Sequence, residues 1–181
     1  MYKTINTIIW WYFLYIINVM KKIKIFIALL LFLLTSCKQN NYDGPYYVER
    51  VVDGDTFIIQ MNNERVRVRA LCIDTPESVA PESTGKTNTN EGTIASNKAK
   101  ELLEGNKVYL EYDEEKYDQY DRLLAYVYLE DNRCFEEIMI SEGLAKVVKY
   151  EPNYKHVQEY YALQDKARGN KAGFYKTGFY K

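Results

Sequence analysis

Hydrophobic positions along this chain fall into two regimes. Residues 8–19 and 25–34 are nearly unbroken apolar stretches, separated by Lys21, Lys22 and Lys24. Neither alone reaches the ~18–20 residues needed to span a bilayer. From residue 46 onward the pattern becomes that of β-strands. Residues 47–52 and 56–61 are strand-like runs on either side of Asp53-Gly54-Asp55. Residues 64–73 alternate, with Val66, Val68, Ala70 and Cys72 on one face and Arg65, Arg67, Arg69 and Leu71 on the other. Asn62-Asn63 between the second and third runs suits a two-residue hairpin turn.

Pro76 holds Thr75 extended and ends the third run. Residues 79–92 are polar and read as a loop. Ile94, Ala95, Ala99, Leu102 and Leu103 recur at helical spacing, so 93–103 is a predicted helix with Gly105 as its stop. Residues 107–112 and 123–129 predict two more strands, joined by an acidic stretch at 113–121, and helices follow around 135–142 and 156–168. The order predicts an α+β, mainly β class: a five-stranded Greek-key barrel of the OB type with three helices. Such barrels often bind nucleic acid. The barrel domain is expected over 46–175, after a polar tether at 38–45, with 176–181 as a tail. The doubled Gly-Phe-Tyr-Lys near the end is a local duplication.

The balance of 24 Lys+Arg against 25 Asp+Glu in 181 residues averages two unlike parts. The first 37 residues hold four lysines and no acid, leaving 20 basic against 25 acidic side chains in 38–181. A protein that coats nucleic acid by general basicity is excluded. A 47% hydrophobic content also excludes a disordered polyanion. Three cysteines and one histidine exclude a disulfide scaffold and a multi-histidine zinc site.

Read from Met20, the leader is basic, then apolar for ten residues, then Leu34-Thr35-Ser36-Cys37. This is the layout of a secretory signal peptide. Leu-Thr-Ser-Cys resembles the bacterial lipobox, in which the cysteine is lipidated and becomes the mature N-terminus. The expectation is an extracytoplasmic cell-envelope lipoprotein, anchored in the membrane at Cys37. Met20 is the favoured start over Met1, with residues 1–19 an unused extension.

Asp53 and Asp55 stand at one strand junction, and Asp74 and Glu77 at the end of the third run. Their convergence at one barrel mouth calls for a cation, and all-oxygen donors favour Ca²⁺ or Mg²⁺ over zinc. Arg69 lies five residues before Asp74 on the face opposite the core row, and Arg122 just precedes the last strand. Two guanidiniums facing a carboxylate-held cation suit phosphodiester hydrolysis. The guanidiniums fork onto phosphate oxygens, and a carboxylate positions water.

These residues carry a resemblance. Val-Val-Asp53-Gly-Asp55-Thr, Arg69-x4-Asp74-Thr-Pro-Glu77, Tyr120-Asp-Arg122-Leu-Leu-Ala-Tyr and Gly143-Leu-Ala-Lys-Val, in that order, resemble the thermonuclease (staphylococcal nuclease-like) family. The resemblance spans roughly residues 46–174. It implies a Ca²⁺-dependent phosphodiesterase acting on DNA and RNA, single strands being the expected substrate, and leaving 3′-phosphates. It also implies that Asp55, Asp74 and the Thr75 carbonyl are calcium ligands. Arg69 and Arg122 match the family's phosphate clamp. Glu77 matches its proposed general base, with ordering of the water network the other role open to it. Asp53 is a carboxylate of secondary importance, and Tyr120 and Tyr150 contact substrate.

Three departures accompany the match. Asp121 stands where the family often has glycine, and Gln119 where one branch has lysine. A second tyrosine near Tyr150 is replaced by Val148 or Lys149. The expected state is a monomer without protein partners. The rival expectation is a barrel that binds oligonucleotides but turns them over poorly. His156 reads as structural or surface, and Cys72 as an inert core thiol.

Overall fold

The computed structural model describes residues 15–17, 19–24, 42–78 and 89–181. Cys37 and the apolar run before it lie outside the described residues, as do residues 79–88 of the expected loop at 79–92. The chain divides into two compact units, residues 1–40 and 41–181. In the first, residues 15–17 and 19–24 are helical. Among the described residues no helix is long and apolar enough to cross a membrane.

In the second unit, β1 (Asp43–Asp53), β2 (Thr56–Met61), β3 (Glu64–Ala70), β5 (Lys107–Glu111) and β6 (Leu123–Leu129) close into a barrel in the order β1-β2-β3-β6-β5. The β3–β6 pair is parallel and the other pairs antiparallel. This is the predicted five-stranded OB architecture. The β2–β3 hairpin turns on Asn62 and Asn63, at φ +52° and +66°, the left-handed pair that a twisted two-residue turn requires. β6 is buried at every position, because α2 (Phe135–Ser141) packs on the strand from outside the barrel.

α1 (Asn90–Leu103) packs against β1, and α3 (Val157–Gly169) against α2. Thr89 caps α1, its hydroxyl accepting from the Gly92 amide at 2.9 Å. The helix therefore starts three residues before the apolar periodicity becomes visible.

Three features depart from expectation. The third run ends at Ala70, where Leu71 and Cys72 form a buried turn with Cys72 at φ +60°. Leu71 therefore does not continue the arginine face. After the turn, β4 (Ile73–Asp74) leaves the barrel and pairs with β7 (Lys146–Val147). Lastly, residues 176–181 are not wholly a loose tail. A short helix, α4 (Phe174–Thr177), is followed by Tyr180, 5% exposed and packed against Phe174 and Tyr175. At the other end, β1 begins inside the expected tether.

Cys72 and Cys134 are both buried free thiols. His156 pairs with Glu111 at 2.8 Å and stands edge-on to Tyr126, which is a structural role.

Candidate active site

The β1–β2 turn, β3 and β4 open onto one cleft of ≈ 360 Å³. Asp53, Asp55, Arg69, Asp74, Glu77, Arg122 and Tyr150 all line it. Strand register explains much of this convergence. Asp53 pairs with Thr56, and Thr56 pairs with Arg69, so the turn carboxylates sit beside the last arginine of β3.

Arg69 is the centre of the cleft. It is 7% exposed, and it donates to the Ala70 carbonyl at 2.7 Å. The same guanidinium reaches Asp55 at 3.2 Å and Asp74 at 3.6 Å. Asp55 is fixed further by the Thr75 amide and hydroxyl, which donate to Oδ2 at 3.0 and 3.1 Å. The Thr56 hydroxyl donates to Oδ1. Gly54 makes the Thr75 contacts possible, since a Cβ there would lie 2.6 Å from the Thr75 hydroxyl.

Asp74 is placed from the far side of the domain. Gln164 of α3 accepts from the Val147 amide at 2.8 Å, and β7 in turn pairs Asp74 with Lys146. The Asp74 side chain is about half exposed, in contrast to that of Asp55.

Asp53 ties the segment carrying Glu77 to the β1–β2 turn. Its Oδ1 accepts from the Gly54 amide and from the Ser78 amide and hydroxyl, the last at 2.7 Å. Burial pushes the Asp53 carboxyl up to about 6. The Ser78 and Gly54 hydrogen bonds oppose that shift, while a hydrogen bond with Glu77 and the charge of Asp55 reinforce it. The Glu77 carbonyl accepts from the Thr89 amide at 3.1 Å, so the N-terminus of α1 braces the same segment.

Arg122 is held by Asp118, with Nε to Oδ2 at 2.7 Å and the Arg122 amide donating to Oδ1. Burial alone would raise the Asp118 carboxyl. Hydrogen bonds from Arg122 and the Tyr120 amide outweigh it and hold the group below the usual range. The Tyr150 hydroxyl also donates to Asp118, at 3.4 Å. Asp118 thus aims both Arg122 and Tyr150 at the cleft. Asp121 sits at φ +57°, a conformation natural to glycine, which accounts for the glycine expected at this position. Tyr120 lies outside the cleft lining, 68% exposed, with its ring 5.5 Å from the Arg122 guanidinium.

Among the described residues no group of three or more His, Cys, Asp or Glu is arranged to hold a metal ion. The donors present are nevertheless the hard-oxygen kind. Asp55 and Asp74 line the cleft with oxygen donors of the kind that a Ca²⁺- or Mg²⁺-class ion takes, and Asp74 is open to solvent. Sulfur and imidazole donors are absent from the cleft lining.

A family model for staphylococcal nuclease homologues matches residues 67–177. The chain belongs to this family. The match takes in Arg69, Asp74, Glu77, Arg122 and Tyr150, while Asp53 and Asp55 precede it and join through the β1–β2–β3 register. Among curated relatives of this staphylococcal nuclease homologue, the thermonuclease of Staphylococcus hyicus is 38% identical over 129 residues. That alignment covers 71% of this chain and 74% of the relative. The thermonuclease of Staphylococcus intermedius is 41% identical over 128 residues, 64% of this chain and 74% of the relative. Endonuclease YncB of Bacillus subtilis is 37% identical over 135 residues, 73% of this chain. The chain spans 62% of that endonuclease's length.

Sequence reasoning missed Ser78, Thr89 and Gly92 as supports of the site, and held an ion pair with neighbouring aspartates only as the alternative role of Arg122, the contact that Asp118 makes. Asp118 carried a signal, four residues before Arg122. The roles of Thr89 and Gly92 had none, because they come from the packing of α1 onto the Glu77 segment.

Proposed function

We propose that this protein is a Ca²⁺-dependent nuclease that hydrolyses phosphodiester bonds of single-stranded DNA and RNA, leaving 3′-phosphate ends. The observation that carries this reading is one cleft lined by Arg69, Arg122, Glu77, Asp55 and Asp74. Family membership and the thermonuclease relatives support it.

The chain's own residues account for most of the chemistry. Arg69 and Arg122 enter from neighbouring strands, the end of β3 and the segment before its parallel partner β6, and their forks take a phosphate in the cleft that both line. Each is restrained by a carboxylate, so little rotamer entropy remains to be lost on binding. As the phosphorus takes on charge, these fixed cations stabilise it without reorganising. Glu77, braced by Asp53 through Ser78 and by Thr89, positions the attacking water and accepts its proton. Tyr150, held by Asp118, lines the same cleft within reach of the substrate. Asp55, Asp74 and the Thr75 carbonyl would hold a Ca²⁺, which when bound would supply Lewis-acid polarisation of a phosphate oxygen.

Arg69→Ala and Glu77→Gln test the reading. Each should lower kcat on single-stranded DNA by about 10²–10³-fold, the usual cost of removing one group that acts on developing charge. Undiminished turnover in both variants would end the assignment. The second part of the proposal is anchoring: export through the Met20–Cys37 signal and lipidation of Cys37. Cys37→Ala should move the protein from the membrane to the soluble fraction, and an unchanged distribution would contradict it.

A further inference from the structure

Beside the cleft lies a second groove of ≈ 550 Å³, lined by Arg50, Arg65, Arg67, Tyr117 and Tyr120. Arg67 lines both, so groove and cleft are contiguous. The groove follows from strand register. Alternate residues share a face, so Arg65, Arg67 and Arg69 rise from one side of β3 at intervals of roughly 6.7 Å. Across the strands, Arg50 pairs with Ile58 and Ile58 with Arg67, making one row over β1, β2 and β3. The row from Arg69 to Arg65 leads out of the cleft and along the groove.

The side chains there differ from those of the cleft. Arg69 is committed to Asp55 and Asp74, and Arg65 pairs with Glu49. Arg50 and Arg67 are exposed, and neither has a hydrogen-bond or ion-pair partner among the described residues. Tyr117 and Tyr120 are 53% and 68% exposed. Unpartnered guanidiniums beside exposed rings suit phosphates followed by stacked bases. Glu64 and Asp121 also border the groove, which keeps its field modest. A strand held there remains able to leave.

We propose that this groove is a subsite for the nucleotides flanking the scissile bond of a single-stranded polynucleotide. Arg67 passes the backbone out of the cleft, Arg50 takes the next phosphate, and Tyr117 and Tyr120 stack bases. The inference rests on the nuclease reading of the cleft and extends it to substrate length.

The test uses the full chain in mild detergent: wild type, Arg50→Glu, Tyr117→Ala and the double variant. Turnover is measured on a dinucleotide and on 12-nucleotide strands of DNA and of RNA. Binding of the labelled 12-mers is followed by anisotropy across a salt series. For the double variant, KM on the 12-mers should rise about tenfold with kcat within about twofold, while the dinucleotide is turned over as by wild type. The salt slope of 12-mer affinity should fall by about 0.7, the release expected for one lost phosphate contact on a single strand. An effect on one of the two polymers would name the one the groove holds. Unchanged 12-mer KM and affinity in the double variant would overturn the proposal, as would an equal loss on the dinucleotide. If the wild type cleaves neither substrate, the nuclease reading fails. The groove then stands or falls on whether the double variant loses 12-mer affinity.

Discussion

Single side chains in this cleft are arranged in pairs, one lining the cleft and one holding the first in place. Asp118 is the clearest holder, since it grips Arg122 through both side chain and backbone and also receives Tyr150. Asp118→Ala should lower kcat on the order of tenfold to a hundredfold, because a displaced guanidinium no longer meets the charge it stabilises. Steady-state kinetics on a single-stranded oligonucleotide would check this. Asp121 offers the opposite sign. Glycine there would relieve a left-handed φ costing roughly 1 kcal/mol and remove a negative charge beside the phosphate path. Asp121→Gly should raise thermal stability by a few degrees and lower KM, both measurable on one preparation. The carboxylates and arginines that line the cleft were legible in the sequence because their patterns are local, as in Asp53-Gly54-Asp55 and Arg69-x4-Asp74. The supporting groups were less so, since an ion pair of Arg122 with a neighbouring aspartate was only the competing reading, and the acidic stretch does not say which aspartate makes it.

At the level of elements, strands with sharp ends were readable and joints were not. Residues 56–61 and 123–129 form the expected strands because apolar runs and turn residues agree there. The break after Ala70 was hidden, because Leu71 and Cys72 are apolar enough to continue the run. Only the pairing of Ile73 and Asp74 with β7 shows why the chain turns away. The start of α1 was likewise masked by the polar residues of its first turn. That turn packs directly on the Glu77 segment, since a Cβ at Gly92 would lie 2.1 Å from the Glu77 carbonyl oxygen. Gly92→Ala should push the Glu77 segment outward, cutting kcat by about 10²-fold and lowering Tm. Gly169→Ala serves as its control. It lies in α3 with nothing within 4 Å of the added carbon, and should be neutral or stabilising by about 0.5–1 kcal/mol.

For the whole molecule, α2 carries a buried acid that is not part of the cleft lining. Glu136 is fully buried, and burial raises its carboxyl to about 8 despite hydrogen bonds from Cys134 and the Val127 amide. The folded state therefore holds this proton more tightly than the unfolded chain does. Its contribution to stability is complete below about pH 4.5 and is lost as pH rises toward about 8. The slope is at most about 1.4 kcal/mol per pH unit. Glu136→Gln should flatten that part of the stability–pH curve, as read by urea denaturation across the range. Charge at this scale also bears on the proposal: an acidic domain does not gather nucleic acid broadly, so the proposed affinity is assigned to the arginines of the cleft and groove. The most direct test of the central claim is digestion of a defined single-stranded oligonucleotide with calcium, with chelator, and with calcium restored, followed by identification of the product ends. The account predicts cleavage that chelation abolishes and calcium restores, leaving 3′-phosphates. Cleavage indifferent to chelation, or none with calcium present, would contradict it.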